Sequence, residues 1–265
     1  YIPSYLDMYT SADYWLGAFP GDQSNGYRQQ THELRVAGNH GWGKWLAGLY
    51  HYDLTSYGIF SFGGFDLSTA LFPVSIVDDN HLRGSAVFGE ATYDVTDRFR
   101  VTLGGRYQED DRTANGRYYD GSGLAPYDYD EGFSNFDYKA GVEYDVNDSF
   151  MVYAQTQTGY QPGTFNGFAS TPALDNGVES ADITAYTLGS KSRMFDDRLQ
   201  FNEELFYYSY DNLIASAYNT VTNSNLSFNV DKATIYGYQL DLVWLPSDDG
   251  RLNLNVGYVH ARTTD

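Results

Sequence analysis

The sequence predicts an all-β fold, an antiparallel up-and-down transmembrane β-barrel. Three observations point to it: period-two alternation of apolar and polar residues, alternating segments long enough to cross a bilayer, and tight turns that alternate with long connections. In Arg98–Gln108, Phe99, Val101, Leu103, Gly105 and Tyr107 share one face, and Arg100, Thr102, Gly104, Arg106 and Gln108 the other. Phe136–Val146 repeats the pattern, with Tyr138, Ala140, Val142 and Tyr144 set against Asp137, Lys139, Gly141, Glu143 and Asp145. So do Tyr236–Trp244, through Leu240 and Leu242 against Gln239 and Asp241, and Leu252–Tyr258, through Leu252 and Leu254. Such runs reach about nine to eleven residues, the length a strand tilted by about 45° needs to cross a bilayer. Strands of soluble proteins are nearer five or six residues.

About ten strands are expected, near 29–38, 42–52, 83–94, 98–109, 134–146, 149–158, 183–193, 198–211, 230–245 and 251–261. Successive pairs are joined by Gly38–Gly41, Val95–Asp97, Asn147–Asp148, Met194–Asp197 and Pro246–Gly250. Every other connection is long: 53–82, 110–133, 159–182 and 212–229. Long loops are uncommon in compact domains, and a soluble sandwich has no reason to gather them at one end. Outer-membrane barrels do this, with short periplasmic turns and long extracellular loops. By the same parity residues 1–28 are expected to be an extracellular loop. Leu103, Val142, Leu240, Leu252 and Leu254 should then face lipid. Arg100, Arg106, Lys139, Glu143, Lys191 and Asp241 should line the lumen.

Composition agrees with this reading. The 265 residues carry 35 acidic and 16 basic side chains, a formal net charge of -19, which argues against a nucleic-acid partner. The aromatic share is 17%, with 26 tyrosines, residues that gather at membrane–water boundaries because an apolar ring carries a polar tip. No cysteine is present, so disulfides, thiolate metal sites and cysteine nucleophiles are excluded. No metalloprotease helix motif, nucleophile elbow or phosphate loop appears. No catalytic residue, cofactor or metal site is expected. The five histidines are scattered, and only His32 and His51, on neighbouring strands, could approach one another.

Candidate ligand-contacting residues lie in the expected extracellular loops: Tyr118, Tyr119, Tyr127, Tyr129, Tyr160 and Phe165. Large, stiff aromatic rings contribute contact area at low entropic cost. Asp120, Asp128, Asp130 and Glu131 crowd the same stretch as four of these tyrosines, and hard oxygen ligands could hold calcium there, although the spacing is not that of an EF-hand. Pro162 and Gly163 suit a strand exit, because proline cannot extend a hydrogen-bonded ladder. One feature runs against the pattern. Glu203-Glu204 forces one carboxylate toward lipid unless a bulge intervenes.

Several segments resemble the barrel domain of TonB-dependent receptors. They are Val87-Phe-Gly-Glu-Ala-Thr-Tyr-Asp-Val-Thr-Asp-Arg98 with Leu103-Gly-Gly-Arg-Tyr107, Phe133-Ser-Asn-Phe-Asp-Tyr-Lys-Ala-Gly141, Gly159-Tyr-Gln-Pro-Gly-Thr-Phe-Asn166, Leu188-Gly-Ser-Lys-Ser192 with Phe195-Asp-Asp-Arg-Leu199, and Lys232-Ala-Thr-Ile-Tyr-Gly-Tyr-Gln-Leu240. Their order matches over 83–261; residues 1–82 match more loosely, through Glu33-Leu-Arg35 and Trp45-Leu-Ala-Gly-Leu49. The resemblance implies a barrel of about 22 strands closed by an N-terminal plug, of which residues 1–265 would be an internal part lacking the plug and the C-terminal strands. It also implies a cell outer-membrane receptor that takes up a scarce nutrient, a ferric siderophore before other solutes. Its partners would be outer-membrane lipid, the bulky solute and, through the plug, the TonB-ExbB-ExbD energy-coupling complex. Two rivals stand beside it. A passive porin would need no plug, and an omptin-like protease would be a closed ten-stranded barrel with acidic residues and a histidine at its mouth. Pairing between the first and last strands would favour either.

Overall fold

A computed structural model of the chain describes residues 1–16, 19–62, 75–119, 124–166, 177–219 and 224–264. Among them the chain forms strands only: β1 Ile2–Leu16, β2 Phe19–His40, β3 Gly43–Phe62, β4 Ser75–Asp94, β5 Phe99–Tyr119, β6 Leu124–Asn147, β7 Phe150–Gln161, β8 Thr164–Phe165, β9 Gly177–Val178, β10 Ala181–Met194, β11 Leu199–Asn219, β12 Ser224–Ser247 and β13 Gly250–Thr264. Eleven of them make one antiparallel sheet in chain order, with β7 next to β10, while β8 and β9 pair only with each other. The sheet is open. β1 and β13 are its two ends, and among the described residues no ladder joins them.

The sheet has eleven strands where about ten were expected, and the added one corrects the reading of residues 1–28. These form β1 and the first half of β2, paired from Ile2↔Glu33 to Leu16↔Phe19, rather than a loop. The expected loops 53–82, 110–133 and 212–229 are likewise largely strand. Pairing continues to Phe60↔Ser75, Tyr119↔Leu124 and Asn219↔Ser224. Strands of 20 to 24 residues therefore stand well past a bilayer. Alternation fades there because both faces meet water, while the backbone ladder and cross-strand pairs continue to hold the hairpin. The tall connections still occupy one end of the sheet, and the tight turns the other.

The two faces divide as the alternation requires. Leu34, Leu49, Val87, Leu103, Leu188 and Leu205 are each about half exposed, between 49% and 61%. They form an apolar belt, continued by the register pairs Val101↔Val142 and Leu242↔Leu254. In water an open belt of this kind would be expelled; its solvent is lipid. β13 is exposed on both faces because it is an edge. On the inner face sit most of the few buried residues, among them Ala86, Ala114, Tyr127, Ala185, Phe206 and Ala233. On β5 the belt ends where Glu109 and Asp111 take the outer positions, so Phe99–Tyr107 is its membrane-crossing part.

The β11–β12 register runs unbroken from Leu199↔Trp244 to Asp211↔Lys232, so no bulge rescues the Glu203-Glu204 pair. Glu204 faces inward and accepts from the Tyr153 hydroxyl at 2.7 Å. Glu203 faces outward, where Ser190 donates to it at 3.2 Å, only four residues into the strand from its short turn. A carboxylate there costs little compared with the midplane. In that turn Phe195, Asp196 and Asp197 hold φ of 57°, 55° and 63°, a left-handed run without glycine.

Candidate functional site

The site is built on β5, whose inner-facing side chains recur about every 7 Å and so reach one another along the strand. Arg106 donates to Gln108 from Nε at 2.9 Å and from Nη2 at 2.6 Å. Gln108 donates to both oxygens of Asp110, at 2.8 and 3.0 Å, and the Tyr52 hydroxyl reaches the same carboxylate at 2.7 Å. Asp110 is almost wholly buried at 1% exposure. Arg106 also lies over the rings of Tyr50 and Phe88, at 5.5 and 5.8 Å from their centres. Arg112 and Ala114 follow on the same face, above the lipid belt.

At this level the wall changes. Pairing of β6 with β7 stops at Lys139↔Gln157, although β6 continues to Leu124. β7 ends at Gln161, and the chain turns over the inner face through Pro162 and Gly163. A side chain at 163 would run into the Val178 carbonyl and meet the Phe133 ring at 2.7 Å, so only glycine fits this approach. Arg112 Nη1 donates to the Gly163 carbonyl at 3.0 Å. β8 then carries Phe165 against Tyr129 and Tyr127, with ring centres 5.3 and 6.0 Å apart, and beneath Arg112, whose Cζ is 5.5 Å from the Phe165 ring centre. The far side is fastened to β12. Asn166 donates to the Ser227 carbonyl at 2.9 Å and accepts from its amide at 2.7 Å. Asn229 exchanges the same pair of bonds with the backbone of Glu179, at 2.9 and 3.0 Å. Segment 162–166 and 177–180 thus forms a crossbar from the β5–β6 hairpin to β12.

Burial shapes the electrostatics. It lowers the basicity of Arg112 against weaker support from Tyr129 and Tyr52. The phenol of Tyr129 is raised by burial and by Glu131, against Arg112. That of Tyr160 is raised by burial first and then by neighbouring Asp110. Both tyrosines therefore stay neutral donors at ordinary pH. The arrangement is a cluster of aromatic rings and hydrogen-bond donors. It offers aromatic faces, phenol hydroxyls and one guanidinium, the means of gripping a solute rather than transforming it.

Four of the six sequence-predicted residues, Tyr127, Tyr129, Tyr160 and Phe165, come to this cluster. Tyr118 and Tyr119 pair through their backbones with Ala125 and Leu124, and their side chains lie outside the described residues. Asp120 also lies outside them. Asp128 and Asp130 fall on the outer face and Glu131 on the inner, as alternation along a strand demands, so these three do not converge on one point. Among the described residues no set of three such ligands gathers. His32 and His51 are register partners, but their Nδ1 atoms engage Tyr1 at 2.6 Å and Ser85 at 2.9 Å. Sequence reasoning missed Arg112, Asp110, Tyr52 and Phe133. The signal was there, since Asp110 and Arg112 continue the period of Arg106 and Gln108. Lower on the inner wall Arg100 binds Glu143 at 2.8 Å and Asp145 at 2.5 and 2.9 Å, Lys139 binds Glu90 at 2.9 Å, and Lys191 lies 5.4 Å from the Tyr153 ring centre.

Known proteins agree with this architecture. The family described as TonB dependent receptor-like, beta-barrel matches residues 3–265. The pesticin receptor of Yersinia pestis is 27% identical over 184 residues, which is 68% of this chain and 26% of that protein. The crystal structure of the ferric yersiniabactin uptake receptor of Yersinia pestis superposes with a TM-score of 0.82 at 18% identity, over 96% of this chain and 38% of that one. The copper transporter OprC superposes with a TM-score of 0.73 at 15% identity, over 92% of this chain and 39% of that one. At such identities the structural likeness is one of fold, and the chain spans about a quarter to two fifths of these proteins. With strand order, lipid-facing belt and family match in agreement over nearly its whole length, the chain belongs to the β-barrel family of TonB-dependent receptors of the outer membrane.

Proposed function

We propose that this chain is part of the barrel wall of a receptor that captures a ferric siderophore complex at the cell surface for energy-coupled import. The observation that carries the reading is the crossbar cluster, Phe165 against Tyr127 and Tyr129 with Arg112 above it, on the inner face at the tall-hairpin end. Rigid aromatic faces with few polar donors suit a bulky, partly aromatic solute. The names of two similar proteins, a pesticin receptor and a ferric yersiniabactin receptor, lean the same way. Under this reading a plug domain and further strands complete the protein, and the TonB-ExbB-ExbD complex moves the plug once the solute is held.

The omptin-like alternative needs a closed ten-stranded barrel, and the open eleven-stranded order does not supply it. The porin alternative gains nothing from a family of receptors. The test is growth of iron-starved cells whose only outer-membrane receptor is the full-length protein. Growth on at least one ferric siderophore, abolished when TonB is removed, is the expected result. Uptake that persists without TonB would refute the reading.

A further inference from the structure

We propose that Arg112 is an anion-reading group of this site, and that the solute presents to it a carboxylate or catecholate oxygen pair. The inference rests on the capture function just proposed and names the chemistry it selects. The chain holds 35 acidic residues against 16 basic ones, so an arginine has no shortage of potential partners. Two inner-wall cations beneath it have taken theirs: Arg100 is paired with Glu143 and Asp145, and Lys139 with Glu90, while Arg106 is bonded to Gln108 and Lys191 lies against the Tyr153 ring. Arg112 has no ion pair among the described residues. Glu131, opposite it in register, forms none with it, and the carboxylate of Asp110 is taken up by Gln108 and Tyr52.

The geometry of the guanidinium adds to this. Nη1 is tethered to the Gly163 carbonyl at 3.0 Å, while Nε is shielded from solvent without a partner. Phe165 supports the group from below at 5.5 Å. A buried donor left unmade is costly, and burial already weakens the hold of Arg112 on its proton. An arriving pair of anionic oxygens would relieve both by accepting from Nη2 and Nε along the edge of the guanidinium. A planar guanidinium fixed at one nitrogen is set up for such a bidentate contact, which a lysine cannot reproduce.

The test uses the full-length receptor in detergent with two probes of similar bulk, an anionic ferric tris-catecholate and a neutral ferric trihydroxamate. Binding is read from quenching of tryptophan fluorescence, and retained β-sheet circular dichroism confirms folding. Wild type is expected to prefer the catecholate. Arg112→Gln should cost at least about tenfold more affinity for the catecholate than for the hydroxamate, with Arg112→Lys in between. Equal losses for both probes, or no loss for either, would overturn the role of Arg112 and leave the capture function standing. Binding of neither probe by wild type would overturn the role of Arg112, while the capture function is judged separately by TonB-dependent growth.

Discussion

Gly163 and Arg100 show what single residues do at the two ends of the inner wall. Gly163 sits where the crossbar touches Val178 and Phe133, and a methyl group has no room there. Gly163→Ala should push the segment off the wall, raise proteolytic cleavage within 162–180 and weaken solute binding, while the strands below keep their circular dichroism. Arg100 holds two carboxylates with a guanidinium about a quarter exposed. Arg100→Ala leaves Glu143 and Asp145 uncompensated and should lower stability by roughly 1–3 kcal/mol, read from urea unfolding out of vesicles. Arg100→Lys should recover only part of that loss, because it cannot bridge both acids. The sequence displayed Arg100 and Glu143 on one face without ambiguity. It could not display that Asp110 accepts from Tyr52, 58 residues away. That contact depends on a register no single strand contains.

At the scale of elements, the crossing part of ten of the eleven sheet strands was legible, while β1 and the upper halves of the long strands were not. In Phe99–Tyr107 one face meets lipid and the other water, so the residue types must alternate. In the upper halves of β2, β5 and β6 both faces meet water, the constraint lapses, and the sequence looks like loop. This contrast yields a depth prediction. Leu103→Arg, at the middle of the crossing, should destabilise the folded barrel by about 2–4 kcal/mol, and Glu109→Arg, beyond the belt, by about 0–1 kcal/mol. Equal costs at the two positions would place the belt elsewhere. The crossbar is a different element, fastened by the reciprocal bonds of Asn166 with Ser227. Asn166→Ala should free its far end while Arg112 and Phe165 hold the near one. Faster hydrogen exchange at 164–166 than at Tyr127–Tyr129 is the expected signature.

For the whole molecule, the open eleven-stranded order and the exposed apolar belt are two sides of one statement. Under the proposed function such a sheet satisfies its edges and its outer face as an arc of a larger barrel in lipid. The aromatic cluster stands above the belt on the inner side, where a solute from outside would meet it. Everything proposed for Arg112 and Phe165 follows from which face is which. The most direct test is a cysteine scan of positions 99–107 in the full-length protein in native outer membranes. The chain contains no cysteine of its own, so each substitution introduces one label site in it. With a fluorescent label, quenching by a lipid-phase quencher should alternate strictly: strong at 99, 101, 103, 105 and 107, and weak at 100, 102, 104 and 106. Quenching without a period of two, or strong at 100 and 106 and weak at 101 and 103, would contradict the account.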